Sequence, residues 1–224
     1  MPDSTTALPS LTCCQLLPFD AARLDHVRQA FQEAPSCALR QFWLPTPEPD
    51  FAPAIVSVGW REELLLVFAS LKDADIHTAA TGLNQRLWTL GDCFEMFLQP
   101  AGSPSYVEFH VAPNNQRLQL RFPDSDALAR AQASNSLDEL YIPGEAFRSW
   151  SWVDAEEGSW YVHAEIPARS VCGVQASLSG TSWRFSFSRY DHTRGRAEPV
   201  ISSSSPHAVA AFHRREEWGY LRFV

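Results

Sequence analysis

The sequence predicts an all-β protein, an antiparallel β-sandwich or jelly roll with a short N-terminal helix. Three observations lead there. From residue 54 onward, short stretches alternate apolar and polar side chains with a period of two, as half-buried strands do. The gaps between them are rich in Pro, Gly, Asn and Ser, which favour turns. No strand–helix–strand rhythm is present, which excludes a doubly wound parallel sheet.

Residues 1–18 read as an irregular arm, and 20–34 as an amphipathic helix. Asp20 is placed to cap it, Leu24, Val27 and Phe31 fall at helical spacing, and Pro35 ends it. The helix is expected to pack at the edge of the sandwich. Pro45, Pro47, Pro49 and Pro53 make 41–53 an extended crossover. Strands are then expected at 55–60 and 63–70, which form a hairpin, and at 93–99 and 105–112, which form a second. Further strands are expected at 117–122, 147–153, 160–166, 183–190 and 218–223. A helical excursion covers 124–134, and the serine run Ser202–Ser205 reads as a loop. The chain divides into an N-terminal arm and helix, 1–39, and a sandwich domain, 40–224.

Composition narrows the function. Of 224 residues, 45% are hydrophobic and 20% charged, enough apolar material for a full core and against global disorder. The longest apolar runs, such as Leu64 to Ala69, are too short to cross a bilayer as a helix. Eighteen basic against 26 acidic residues leave a net charge of −8, a poor match to nucleic acid or an anionic membrane but no obstacle to a neutral sugar. The five cysteines are odd in number and match no zinc or disulfide framework, so free thiols are expected. The N-terminus lacks the basic and apolar regions of a signal peptide. As written, the chain is expected in the cytoplasm; a leader missing from it would make it periplasmic or secreted.

Phosphate-loop, GxGxxG, GxSxG and HExxH motifs are absent, which removes the common nucleotide and acyl-transfer chemistries. What remains is one polar sheet face. Alternation sets Cys93, Glu95 and Phe97 opposite Phe94, Met96 and Leu98, and sets Tyr106, Glu108 and His110 opposite Val107, Phe109 and Val111. Arg117, Gln119 and Arg121 extend that face in this reading, as do Tyr161, His163 and Glu165, and Arg184, Ser186 and Ser188. The face is either a solvated surface of cross-strand ion pairs or a concavity that hydrogen-bonds a polyhydroxylated ligand. Glu95 and Glu108 facing each other across a hairpin would suit a glycosidase. His110, His163 and Glu165 would suit a cupin-like metal site.

Six segments in order carry a family resemblance: Leu64–Asp75, Trp88–Leu98, Tyr106–Pro113, Trp160–Pro167, Trp183–Asp191, and Phe212-His213 with Glu217–Phe223. The most specific is Trp-x-x-Gly-Asp-x-x-Glu-x-Phe. The set resembles the family-nine carbohydrate-binding modules and their stand-alone relatives in the DOMON-like β-sandwich group, over roughly residues 40 to 224. The resemblance implies a non-catalytic module that grips the end of a glycan chain, an oligosaccharide or polysaccharide. In that family two tryptophans sandwich a sugar ring, while an acidic residue and an arginine bind its hydroxyls.

Trp88 matches the first platform, one residue further from the acidic position than the family spacing. Glu95 matches the acidic residue and Arg117 the arginine. Glu108, His110 and Tyr190 complete the candidate ligand set. The loop expected to supply the second platform, 192–206, has no Trp, Tyr or Phe, so either Tyr190, His207 or Trp218 stands in or the sugar site is lost. The resemblance also implies structural calcium, with Asp73, Asp75 and Asp92 as oxygen donors; turn residues after a strand are the alternative. A scaffold protein with a degenerate sugar site, and a glycoside hydrolase, are the competing functions. The oligomeric state is not legible.

Overall fold

The computed structural model describes residues 7–224, so the first six residues of the expected arm lie outside the described part. Two sheets face each other. The larger contains β1 (Ser10–Cys13), β12 (Gly219–Phe223), β10 (Ser182–Asp191), β5 (Cys93–Pro100), β6 (Tyr106–Val111) and β7 (Arg117–Phe122) in that spatial order, with β11 (Val200–Ser203) also paired to β10. The smaller has the order β2 (Ser36–Ala38), β3 (Ala54–Arg61), β4 (Leu64–Lys72), β9 (Ser159–Pro167) and β8 (Arg148–Asp154). All pairings are antiparallel except that of β1 with β12. Among the described residues no helix is long and apolar enough to cross a membrane.

Alternation explains the core between the sheets. Phe94, Met96 and Leu98 of β5, Val107, Phe109 and Val111 of β6, and Trp183, Phe185 and Phe187 of β10 point inward. They meet Leu65, Val67, Ala69 and Leu71 of β4 and Trp160, Val162, Ala164 and Ile166 of β9. Each such Val, Leu, Ile, Met or Phe side chain removed from water contributes about 1.5–3 kcal/mol before the cost of chain ordering.

The outer faces are also covered, and this explains where the structure departs from the sequence reading. The N-terminal helix is α1 (Leu24–Ala30), shorter than expected, with Arg23 and not Asp20 at its N-cap. It lies on the outer face of the smaller sheet and not at its edge: Val27 and Phe31 are buried with Leu66, Phe68 and Tyr161. Three strands were not anticipated. β1 falls in the supposed irregular arm, and β2 follows α1, so the segment before residue 40 adds a strand to each sheet. β11 takes in part of the serine run. Ser203 Oγ lies 3.1 Å from Ser186 Oγ, and Ser204 Oγ accepts the Phe187 amide at 2.9 Å, so hydroxyls stand in for apolar packing there. The helical excursion is α2 (Ala127–Ser134), which covers the outer face of the larger sheet beside β7 with Ala127 and Ala131 buried.

Candidate functional site

The outer face of β5 and β6 is the floor of a pocket of about 370 Å³. Glu95, Phe97, Glu108 and His110 line the floor. Trp88 and Arg86 form one wall, α2 and Leu137 another, and Tyr190, Phe212 and His213 a third. Of the predicted ligand residues, Trp88, Glu95, Glu108, His110 and Tyr190 therefore come together.

Arg117 does not. β6 and β7 pair His110 with Leu118 and Glu108 with Leu120, so the apolar residues of β7 share the pocket face and Arg117, Gln119 and Arg121 point the other way. Arg117 donates to the Phe147 carbonyl at 2.9 Å and to Glu145 at 2.8 Å. Its polarity suggested the wrong face because α2 buries the outer side of β7, making that side apolar. Tyr161, His163 and Glu165 are also elsewhere, on the outer face of the smaller sheet. His163 and Glu165 cannot share a metal with His110. Arg184, Ser186 and Ser188 do share the pocket face, opposite Gln99, Phe97 and Glu95.

The arginine that does reach the pocket is Arg86, two residues before Trp88. It donates to the Asn135 side chain at 3.1 Å and to the Asn135 carbonyl at 2.7 Å, and so ties the end of α2 to the Trp88 wall. Asn135 adopts φ +49 as the left-handed cap that ends α2. Phe212 and His213 were legible only as one of the six family segments and had no site role in the sequence reading. The expected stand-ins for the second platform divide. Tyr190 lines the pocket, whereas His207 and Trp218 are fully buried beneath it, with Trp218 Nε1 donating to the Phe212 carbonyl at 2.7 Å.

The specific Trp-x-x-Gly-Asp segment has a structural cause. Leu87–Thr89 is a single 3₁₀ turn that buries Leu87 and turns Trp88 toward the pocket, its ring 5.6 Å from His110. Gly91 follows at φ +137, and a Cβ there would stand 2.5 Å from the His77 carbonyl oxygen, so only glycine fits. Asp92 accepts the His77 amide at 2.6 Å and the His192 amide at 2.8 Å, pinning two loops to the start of β5.

Glu95 and Glu108 do not face each other: Glu95 is opposite His110, and Glu108 is opposite Phe97. His110 stands between their carboxyls. Its Nδ1 is 3.2 Å from Glu95 Oε1 and its Nε2 3.3 Å from Glu108 Oε2. His213 Nδ1 continues the chain, 3.1 Å from Glu108 Oε1 and 2.9 Å from the Tyr106 hydroxyl. All three floor groups are at most 3% exposed. Burial pushes the Glu95 carboxyl up to about 8 and Glu108 well above the carboxylate range, the latter helped by repulsion from Glu95. Burial pushes His110 down to about 3 and His213 down to about 4. Near neutral pH the floor thus favours a neutral imidazole between protonated carboxyls, groups that both donate and accept hydrogen bonds.

Among the described residues, two buried groups bring metal-ligating atoms within 4.8 Å of one another, Cys93–Glu95–His110 and Asp73–Asp92–Asp191. The second overlaps the expected calcium donors but does not fit calcium. The Arg189 guanidinium already joins Asp73 at 2.9 Å and Asp191 at 3.0 Å, and both oxygens of Asp92 accept backbone amides. Asp75 lies outside the group, paired with Arg194. Calcium needs six to eight converging oxygens, and here the carboxylates are turned to other donors.

No protein-family model matches the sequence, and no curated protein matches it. Solved structures do share the fold. A protein from Bacteroides uniformis ATCC 8492 described as a putative carbohydrate-binding protein aligns with a TM-score of 0.74 at 18% identity, covering 96% of this chain and 99% of that one. A family 9 carbohydrate-binding module from Caldicellulosiruptor kristjanssonii, solved with cellotriose, aligns at 0.65 and 14% identity over 96% and 93% of the two chains. The same module, solved with glucose, gives the same score and identity over 96% of each chain.

Proposed function

We propose that the chain is a non-catalytic saccharide-binding protein and that the sugar lies in the Trp88–Glu95–Glu108–His110 pocket. The observation that carries this reading is the half-buried Trp88 ring standing beside a floor of buried carboxyls and imidazole. A pyranose has an apolar C–H face that suits an indole and hydroxyls that need directional partners, and neutral carboxyls supply both donors and acceptors. The volume falls within the roughly 300–1,000 Å³ range of small-ligand sites. The glucose and cellotriose complexes of the fold neighbour add support. A binding role and not hydrolysis is favoured because His110 fills the space between the two carboxyls, where a glycosidase needs the scissile bond.

Isothermal titration with glucose, cello-oligosaccharides and xylo-oligosaccharides tests the reading. With one aromatic wall of tryptophan, a dissociation constant on the order of millimolar is expected, about −4 kcal/mol. Loss of the indole in Trp88→Ala should weaken binding by roughly tenfold or more, from about 1–2 kcal/mol of stacking. Absence of heat with every sugar, or unchanged affinity in a folded Trp88→Ala protein, overturns it.

A further inference from the structure

The geometry points to a transition-metal site in the pocket floor, in which Cys93, Glu95 and His110 bind zinc. This goes beyond saccharide binding and does not depend on it.

The backbone brings the three ligands together. Cys93 and Glu95 are two residues apart on β5, so their side chains share a face, and His110 is the cross-strand partner of Glu95 on β6. Cys93 Sγ lies 3.7 Å from His110 Nδ1, and Glu95 Oε1 lies 3.2 Å from the same nitrogen. Tetrahedral zinc, with bonds of about 2.3 Å to sulfur and 2.0–2.2 Å to nitrogen and oxygen, separates its ligands by roughly 3.3–3.6 Å. The two separations to Nδ1 are already within a few tenths of an ångström of that.

The surroundings fit as well. A metal-bound histidine usually donates its second ring N–H to a carboxylate, which fixes its tautomer. His110 turns Nε2 toward Glu108 Oε2 at 3.3 Å, leaving Nδ1 for the metal. Buried acidic groups are normally paired with cations or coordinate metals. Among the described residues, no lysine or arginine pairs with Glu95 or Glu108, and only histidines stand beside them. A thiolate, an imidazole and one carboxylate suit zinc, whereas the all-carboxylate Asp73 cluster is a hard-donor set that holds an arginine. Glu95 and His110 both line the pocket, so a fourth coordination position opens there, for water or for a ligand hydroxyl.

Cobalt(II) is the probe, added without sugar to the chelator-treated chain. One equivalent should produce a near-ultraviolet thiolate-to-cobalt charge-transfer band with the intense visible bands of tetrahedral cobalt, and one equivalent of zinc should abolish them. Cys93→Ser should lose the charge-transfer band, while Cys14→Ser, at an exposed thiol, should keep it. Glu108→Gln should keep the band but bind cobalt roughly 10–100-fold more weakly. No one-to-one band in the wild type, or an undiminished band in Cys93→Ser, overturns the site. Should Cys93→Ser fail to fold, X-ray absorption of the zinc-loaded wild type decides. One sulfur with nitrogen and oxygen neighbours is expected, and a shell with no sulfur or several overturns the assignment. Sugar titration of the metal-free protein is read separately, so failure of either inference leaves the other standing.

Discussion

Arg189 and Asp73 form an ion pair at 2.9 Å in which both side chains are 1% exposed. Arg189 also meets Asp191 at 3.0 Å and donates to the Lys72 carbonyl at 2.6 Å. The guanidinium therefore acts as an internal counter-ion for an acidic cluster. The cluster joins the end of β4 to β10 across more than a hundred residues of sequence.

Calcium should consequently have no effect on stability. The melting temperature measured with excess calcium and with chelator should coincide. Arg189→Met should lower stability by about 3–5 kcal/mol, because it leaves two buried carboxylates without their partner. A calcium-dependent rise in the wild-type melting temperature would show that the arginine does not close the site.

Asp191 sets a pH dependence. Burial raises its carboxyl to about 6, against the pull of Arg189. A raised folded-state value means that its contribution is fully present below about pH 4, the unfolded value, and is lost as pH rises through about 6. Wild-type stability should therefore decline over this window relative to Asp191→Asn, by at most about 1 kcal/mol per pH unit after screening is allowed for. Urea unfolding of both proteins at pH 4 to 7 measures the difference; parallel curves rule the titration out.

Within the pocket, sugar affinity should survive Glu108→Gln better than Trp88→Ala. An amide keeps hydrogen-bonding capacity at the floor, whereas alanine removes the stacking surface. Titration of the two variants with the same oligosaccharide ranks them. Hydrolysis of that sugar by the wild type, abolished in Glu108→Gln, would instead mark Glu108 as a catalytic acid.

Phe31 tests the other side of the molecule. Its ring packs 5.6 Å from Phe68 and 6.0 Å from Phe19, on the smaller sheet. Phe31→Ala should cost about 3–5 kcal/mol in urea denaturation. Sugar and cobalt titrations of the folded variant should remain unchanged, because the pocket lies on the larger sheet.

The thiols give a chemical check. All five cysteines are unpaired, and Cys14 is the exposed one. Burial pushes the Cys13 thiol up to about 12, which leaves little thiolate to react. A thiol reagent should modify Cys14 first in the native protein and reach five groups only after unfolding without reductant. A total of three or one would reveal a disulfide.

Period-two alternation is a local property, so the sequence by itself determined the strands of both central hairpins and the opposition of Glu95, Glu108 and His110 to the core. Trp88 as a pocket wall was legible from the Trp-x-x-Gly-Asp segment, whose glycine answers to a backbone contact with His77. Alternation cannot say which face of a strand lies inward when both faces are covered. On β7 the apolar side faces the pocket because α2 packs over it, and this took Arg117 away from Glu95. The serine run Ser202–Ser205 reads as a loop in the sequence, yet it is buried, and the Ser203 and Ser204 hydroxyls meet β10. Arg86 and Arg189 are separated in sequence from Asn135 and Asp73, and no periodicity links them. Arg189 takes its role only when packing removes it from water, because a buried charge must then find its partner across the fold, whereas Arg86 meets Asn135 because the fold brings the end of α2 beside the Trp88 turn.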